Sequence, residues 1–339
     1  MSKDNNRDQV PPDTARLIQD VIAQLGWPIN AELVAEQVRR LDVGLPLEDE
    51  FSVICSWLGK CQLLHKLDQQ QVPVKSREEF QVPDLLAKFS TQNNKSPVLI
   101  EVKSKQDSVL SFRPDYMRRL QNYAELVGMP LLIAWKYHNL WMLFEAKHMT
   151  KAVKNFNISL NTASRENLFG TLLGDVAYKI GSGAGVHLRF RKDKLVESTE
   201  DHSGREEQWH MTIDDVSFSD YNGEHHKKLD GEVQSLFTTW DLEEEQEHSD
   251  THIHLRFLAG DQGIQFSHTA LVRLLNWQEP HKDRPHWRGL LRQDKVAANV
   301  ENFSSALHTA LDQRIVSHIF YFEPHTFPNF LDGHEHKKS

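Results

Sequence analysis

The chain has 339 residues, a net charge of −9 and two cysteines. That length accommodates two ordinary domains, each with its own core. Cys55 and Cys61 suit neither a disulfide framework nor a zinc spacing, no apolar run is long enough to span a bilayer, and the polar start Met1-Ser2-Lys3-Asp4 is unlike a signal peptide, so a reducing cytoplasm with no membrane partner is expected.

In chain order, residues 1–43 read as an N-terminal helical segment. Its helices, Thr14–Leu25 and Asn30–Leu41, are split by Gly26-Trp27-Pro28 and are expected to pack on the core that follows. A core spans residues 44–148. Its first helix covers Leu47–Gly59, with Phe51, Ile54, Cys55 and Leu58 at helical spacing and Gly59 as a stop. Strands follow at Cys61–Leu67, Val82–Phe89 and Pro97–Ser104. Strand side chains alternate between faces, so Val98, Ile100 and Val102 share one face while Glu101 and Lys103 share the other. Two charges in so apolar a strand are costly to bury unless they bind something. A helix starts at Pro114 with the stripe Tyr116, Leu120, Ala124 and Val127, ends at Gly128 and is blocked at Pro130. Met129–Lys136 and Leu140–Phe144 read as a hairpin.

Residues 149–180 read as a helical connection, ending in a helix with Leu168, Leu172, Val176 and Ala177 on one side. An accessory α+β domain is expected over 181–330. Its strands are Val186–Phe190, Trp209–Ile213, Val233–Thr239, His252–Phe257 and Ile315–Phe322, with a helix at 294–313. Residues 331–339 are a polar tail.

The chemistry concentrates in Pro83-Asp84 and, further on, Glu101-Val102-Lys103. With the elements around them, these residues resemble the signature of the PD-(D/E)xK nuclease superfamily, which includes restriction endonucleases and archaeal Holliday-junction resolvases. The resemblance covers about residues 45–146, whose elements run in that superfamily's order of helix, three strands, helix, strand. It implies an α/β fold with a restriction-endonuclease-like mixed sheet flanked by helices, here followed by the α+β domain. It also implies a Mg²⁺-dependent endonuclease, with Mn²⁺ able to substitute, that hydrolyses phosphodiester bonds of nucleic acid, DNA foremost, in restriction, repair or phage defence. Asp84 and Glu101 would bind the metal with the Val102 carbonyl, and Lys103 would orient or deprotonate water or stabilise charge on the phosphate. Many members add a glutamate from the first helix, and the sequence does not choose between Glu48 and Glu50. Recombination-type members carry Gln-x-x-x-Tyr on the later helix. Here Tyr123 is preceded at that spacing by Arg119, which leaves Arg119 as a phosphate contact.

A net negative charge argues against a polyanionic partner, but its distribution does not. Between Lys88 and Arg119 seven basic residues face three acidic ones, which nominates Lys105, Arg113, Arg118, Arg119 and Tyr123 as nucleic-acid contacts. The alternative is a non-catalytic nucleic-acid-binding or regulatory protein on the same scaffold. For the accessory domain, substrate selection, homodimerisation and sensing all stay open. Within it, Gly181-Ser182-Gly183-Ala184-Gly185 reads as a flexible joint after a helix, in the wrong order for a phosphate cradle. His252 and His254 share a strand face and could meet His225 or His226 at a metal, although nineteen histidines make such proximities common. Trp277–Arg288 mixes aromatic and basic groups in a proline-rich loop that packs irregularly or tracks a nucleic-acid strand.

Overall fold

The computed structural model describes residues 47–68, 71–91, 97–201, 204–261, 263–278, 290, 300 and 302–331. The helices expected over 13–43, the polar tail beyond Leu331 and most of the Trp277–Arg288 loop lie outside them. Among the described residues no helix is long and apolar enough to cross a membrane.

The first unit is a helix over residues 47–57 (α1), followed by β1 (Cys61–Lys66), β2 (Leu85–Phe89), β3 (Val98–Ser104), β4 (Val109–Phe112), α2 (Pro114–Val127), β5 (Leu131–Tyr137) and β6 (Leu140–Glu145). The main sheet has the order β1-β2-β3-β5-β6. Its one parallel pair, β3 with β5, is joined through β4 and α2, because parallel neighbours need a long crossover. Helix α2 begins on Pro114, which fits the first turn, and ends on Gly128 in a left-handed conformation.

β3 is central, and both of its faces are covered. Val98, Ile100 and Val102 pack with Phe51, Ile54, Cys55 and Leu58 of α1. On the other face, Leu99 packs with Met117, Leu120 and Ala124 of α2. The face expected to carry only Glu101 and Lys103 is therefore roofed by a helix. Val127 of the expected α2 stripe is exposed instead, and Met117 takes the buried position.

Residues 149–180 are not a helical connection. They hold β7 (Thr150–Lys151), β8 (Phe156–Ser159), the short α3 (Leu160–Arg165), a π-turn at Phe169–Leu173 and β9 (Val176–Ile180). β8 pairs with β4, and Met149, Ile158 and Ala163 join the core beneath α2. The apolar spacing at Leu168, Leu172, Val176 and Ala177 imitates a helix because a π-turn and a strand buried on both faces abut there. Gly174, left-handed at φ 87°, ends the turn.

The second unit has a five-stranded antiparallel sheet. It comprises β10 (Gly185–Asp201), β11 (Gly204–Ser219), β12 (His225–His226), β13 (Leu242–His248) and β14 (His252–Ala259), in the order β12-β11-β10-β14-β13. A smaller sheet joins β9 to β15 (Gln265–Phe266) and β16 (Val316–Tyr321). Among the described residues three helices complete the unit, namely α4 (Gly231–Leu236), α5 (Ser267–Gln278) and α6 (Phe303–Asp312). Val233–Thr239, expected as a strand, is α4 followed by a 3-10 turn. Its apolar residues Val233, Leu236 and Phe237 are at three- and four-residue spacing, which fits a short helix. The helix expected at 294–313 is described only over Phe303–Asp312. Gly181–Gly185 is a packed turn after a strand rather than a flexible joint. A Cβ on Gly185 would fall 2.1 Å from the Phe257 carbonyl oxygen.

α1 connects the two units. Phe51 and Ile54 lie in the first core, while Val53 and Trp57 lie with Val176, Tyr178 and Phe303 in the core of the second. Ile54→Ala should therefore lower the unfolding free energy by about 2–5 kcal/mol, the range for emptying a buried aliphatic site. Urea titration followed by tryptophan fluorescence checks it.

Candidate active site

Asp84 does not lie within β2 as expected. It sits just ahead of the strand, after Pro83, with its backbone carbonyl accepting the Leu67 N–H at 3.0 Å. From there its carboxylate reaches across to β3, where Oδ2 accepts the Val102 N–H at 2.7 Å. That bond fixes Asp84 beside the charged end of the strand.

Glu101 is almost fully buried, at 1% exposure. Its Oε1 accepts hydrogen bonds from the Lys103 ammonium and the Tyr116 hydroxyl. Its Oε2 is buried and has no hydrogen-bond partner. Lys103 also donates to the Val102 carbonyl at 3.1 Å and lies 3.9 Å from Asp84 Oδ2, with 33% of its side chain exposed. Burial and the Asp84 charge together push the Glu101 carboxyl up to about 7, against the pull of Lys103 and Tyr116. Burial alone would lower the Lys103 ammonium, but Glu101 and Asp84 outweigh it and hold the group charged.

Tyr116 was legible in the sequence only as part of an apolar stripe. Its ring does pack beside Phe112 at 5.6 Å. Its hydroxyl, however, turns onto Glu101, and burial raises the phenol above its usual range. An aromatic ring with one polar tip serves both purposes.

Glu48 and Glu50 have different partners. Glu50 is buried and structural, accepting from Lys136 at 2.6 Å and from the Trp141 indole at 3.0 Å. Glu48 pairs with Lys66 at 2.9 Å, and its carboxyl is raised first by burial and next by the Asp84 charge. The Asp84 charge thus acts on Glu48. Lys66 also holds Asp49, at 2.6 Å.

The proposed nucleic-acid contacts are less concentrated than the sequence suggests. Arg118 pairs with Asp115 at 2.6 Å, and two residues along a helix from Tyr116 it projects from the opposite side. Arg119 pairs with the same aspartate at 3.2 Å and donates to the Arg77 carbonyl at 2.8 Å, which ties α2 to the 74–78 turn. Lys105 pairs with Asp107 at 3.3 Å. Tyr123 is half-buried against the core under α2. Arg113 is exposed at the N-cap of α2, one turn from Tyr116.

Residues 73–175 match the family model for the archaeal Holliday junction resolvase (hjc). This segment has a restriction-endonuclease-like fold. It contains Asp84, Glu101, Lys103 and Tyr116, and its likeness to the PD-(D/E)xK superfamily stands. A solved structure, Archaeoglobus fulgidus Hjc, a Holliday junction resolvase from an archaeal hyperthermophile, aligns at 21% identity over 36% of this chain and 92% of that one, with a TM-score of 0.29. No curated protein matches the chain. The resolvase-like segment ends before the second unit's large sheet.

Two predictions follow from these partners. Without divalent ions, Glu101 holds its proton up to about 7 in the folded chain against its ordinary 4.5. Folding therefore takes up a proton between those values, so stability present at pH 4.5 should decline as the pH rises towards 7. Glu101→Gln should flatten that segment. Urea midpoints in EDTA check it, and parallel curves for the two proteins would contradict it. Second, Glu50→Ala should cost about 3–5 kcal/mol, because it strands Lys136 and the Trp141 indole, whereas Glu48→Ala should cost no more than about 1 kcal/mol. Equal losses in chemical denaturation would refute that assignment.

Proposed function

We propose that the protein is a divalent-metal-dependent nuclease acting on DNA, with its active site at Asp84, Glu101 and Lys103. The observation that carries this reading is Glu101 Oε2, a carboxylate oxygen enclosed in the sheet without a hydrogen bond. Such an atom is costly unless a cation meets it. The donor set of Asp84, Glu101 and the Val102 carbonyl is made of hard oxygens, which suits Mg²⁺ and also Mn²⁺. Glu48 would complete it from the α1 side. A Mg²⁺ ion held there would supply Lewis-acid polarisation of a phosphate and a more acidic water.

The remaining work falls to the chain's own groups. Lys103 keeps its charge at neutral pH and is only partly covered, so its ammonium can turn from Glu101 to a phosphoryl oxygen as negative charge builds there. The Val102 N–H holds Asp84 in place, and Tyr116 holds Glu101. Arg113, at the exposed start of α2, is the best-placed of the basic residues to meet the phosphate backbone. The matching family's name makes a four-way junction the first substrate to test, and a two-fold symmetric junction favours a homodimer. A retired scaffold that only binds nucleic acid has no use for the full set of Asp84, Glu101 and Lys103.

Asp84→Ala and Glu101→Ala should each abolish cleavage of junction and duplex DNA in Mg²⁺ while circular dichroism stays unchanged. Cleavage at the wild-type rate by either would end the proposal. Lys103→Ala should lower single-turnover cleavage by at least about a hundredfold, the scale of one lost transition-state donor, with DNA affinity in Ca²⁺ nearly unchanged.

A further inference from the structure

The turn between β11 and β12 carries a second group of ligand-type side chains, remote in sequence from the first. The donor atoms of Asp220, Glu224 and His226 all lie within 4.8 Å of one another. The backbone sets this up. Asp220 Oδ1 accepts the N–H groups of Asn222 at 2.8 Å and Glu224 at 3.0 Å, and Gly223, at φ 79°, allows the tight return of the chain. Those two N–H groups, together with His226, outweigh burial and keep the Asp220 carboxyl below its usual range.

Two of the remaining atoms are left without hydrogen bonds, while Glu224 Oε2 accepts one from Arg314. Asp220 is 1% exposed, and its Oδ2 is buried and unbonded. His226 Nε2 is likewise buried and unbonded, 3.5 Å away. Two ligands about 2.0–2.1 Å from a tetrahedral Zn²⁺ stand roughly 3.4 Å apart, so this separation is that of one edge of the tetrahedron. Glu224, on the exposed side, supplies a third donor. A positive charge already leans over the place: Arg314 Nη1 lies 4.0 Å from Asp220 Oδ2 and 3.5 Å from Glu224 Oε2. Its side chain is half exposed, so an arriving cation would meet it at the solvent edge of the site.

We propose that Asp220, Glu224 and His226 form a second cation site, taking a borderline divalent transition ion such as Zn²⁺ with water in the remaining position. The imidazole separates it from the all-oxygen Asp84–Glu101 site, since nitrogen donors favour zinc and its neighbours over Mg²⁺. The ion would close the 220–226 turn on itself by joining its two ends through Asp220 and His226. The sequence allowed His252 and His254 to meet His225 or His226. In the structure His252 lies 3.6 Å from Asp214, while His225 and His254 both pack against His187, with ring centroids 4.6 and 5.5 Å away, and His226 turns to Asp220.

The test uses the full-length chain with Asp84→Ala and Glu101→Ala in place, so that ions at the first site do not count. After chelation, Co²⁺ and Zn²⁺ are titrated by visible absorption and calorimetry. One equivalent of Co²⁺ with the strong d–d absorption of low-coordinate cobalt is expected, and Zn²⁺ should displace it. His226→Ala should abolish the signal, and the exposed Glu224→Gln, which leaves the buried Asp220 intact, should weaken binding by at least about tenfold. Absence of any bound equivalent, or unchanged binding in both variants, would overturn the site.

Discussion

The burial of Glu101 is the constraint around which the first unit is arranged. A carboxylate only 1% exposed in the central strand needs partners, and each of those partners fixes an element. Lys103 comes from the same strand two residues on, which the two-residue strand period puts on the same face. Tyr116 comes from the first turn of α2, so the crossover helix must dock with its N-terminus over the end of β3. Asp84 is held near the pair by a bond to the β3 backbone, and its charge adds to the difficulty of ionising Glu101. Only Oε1 of Glu101 is satisfied by these contacts. One open carboxylate oxygen beside a second carboxylate at the sheet centre is what the proposed nuclease reading asks for, since a cation would satisfy both.

A second buried polar chain ties the two units together. The Trp141 N–H donates to His268 Nε2 at 3.2 Å, so that nitrogen carries no proton and the ring is neutral. Its Nδ1–H therefore donates to Asp175 at 2.8 Å. The Trp141 indole meanwhile donates to Glu50, which also binds Lys136. Edge strand β6, helix α1 and helix α5 of the second unit are thus linked through groups that water does not reach. A charge buried this way adds little net stability but penalises any other docking. The same α1 that carries Glu50 inwards carries Glu48 towards Asp84, so the orientation of the candidate site depends on where the second unit packs.

The order of elements in the first unit was legible because its signals are local: a proline opening α2, a left-handed glycine closing it, and apolar runs at strand length. The signature residues could be read for the same reason, since Glu101 and Lys103 are only two positions apart and the strand period alone puts them together. Errors arose where two local patterns coincide. Short helices at Gly231–Leu236 and Leu160–Arg165 carry too few turns to show a period, and residues 168–177 look helical because a buried strand follows a π-turn.

The sequence by itself determined the five strands of the main sheet and the pairing of a carboxylate with a lysine on one strand face. Tertiary structure alone decided that this face lies under α2 rather than in water, that the Tyr116 hydroxyl meets Glu101, that Glu50 is taken by Lys136 and Trp141, and that Asp115 occupies Arg118 and Arg119. It also brought His226 to Asp220 and Glu224 instead of to other histidines. The physical reason is range. Backbone periodicity fixes which way a side chain leaves its own strand or helix, but what it meets there is set by packing between segments tens of residues apart.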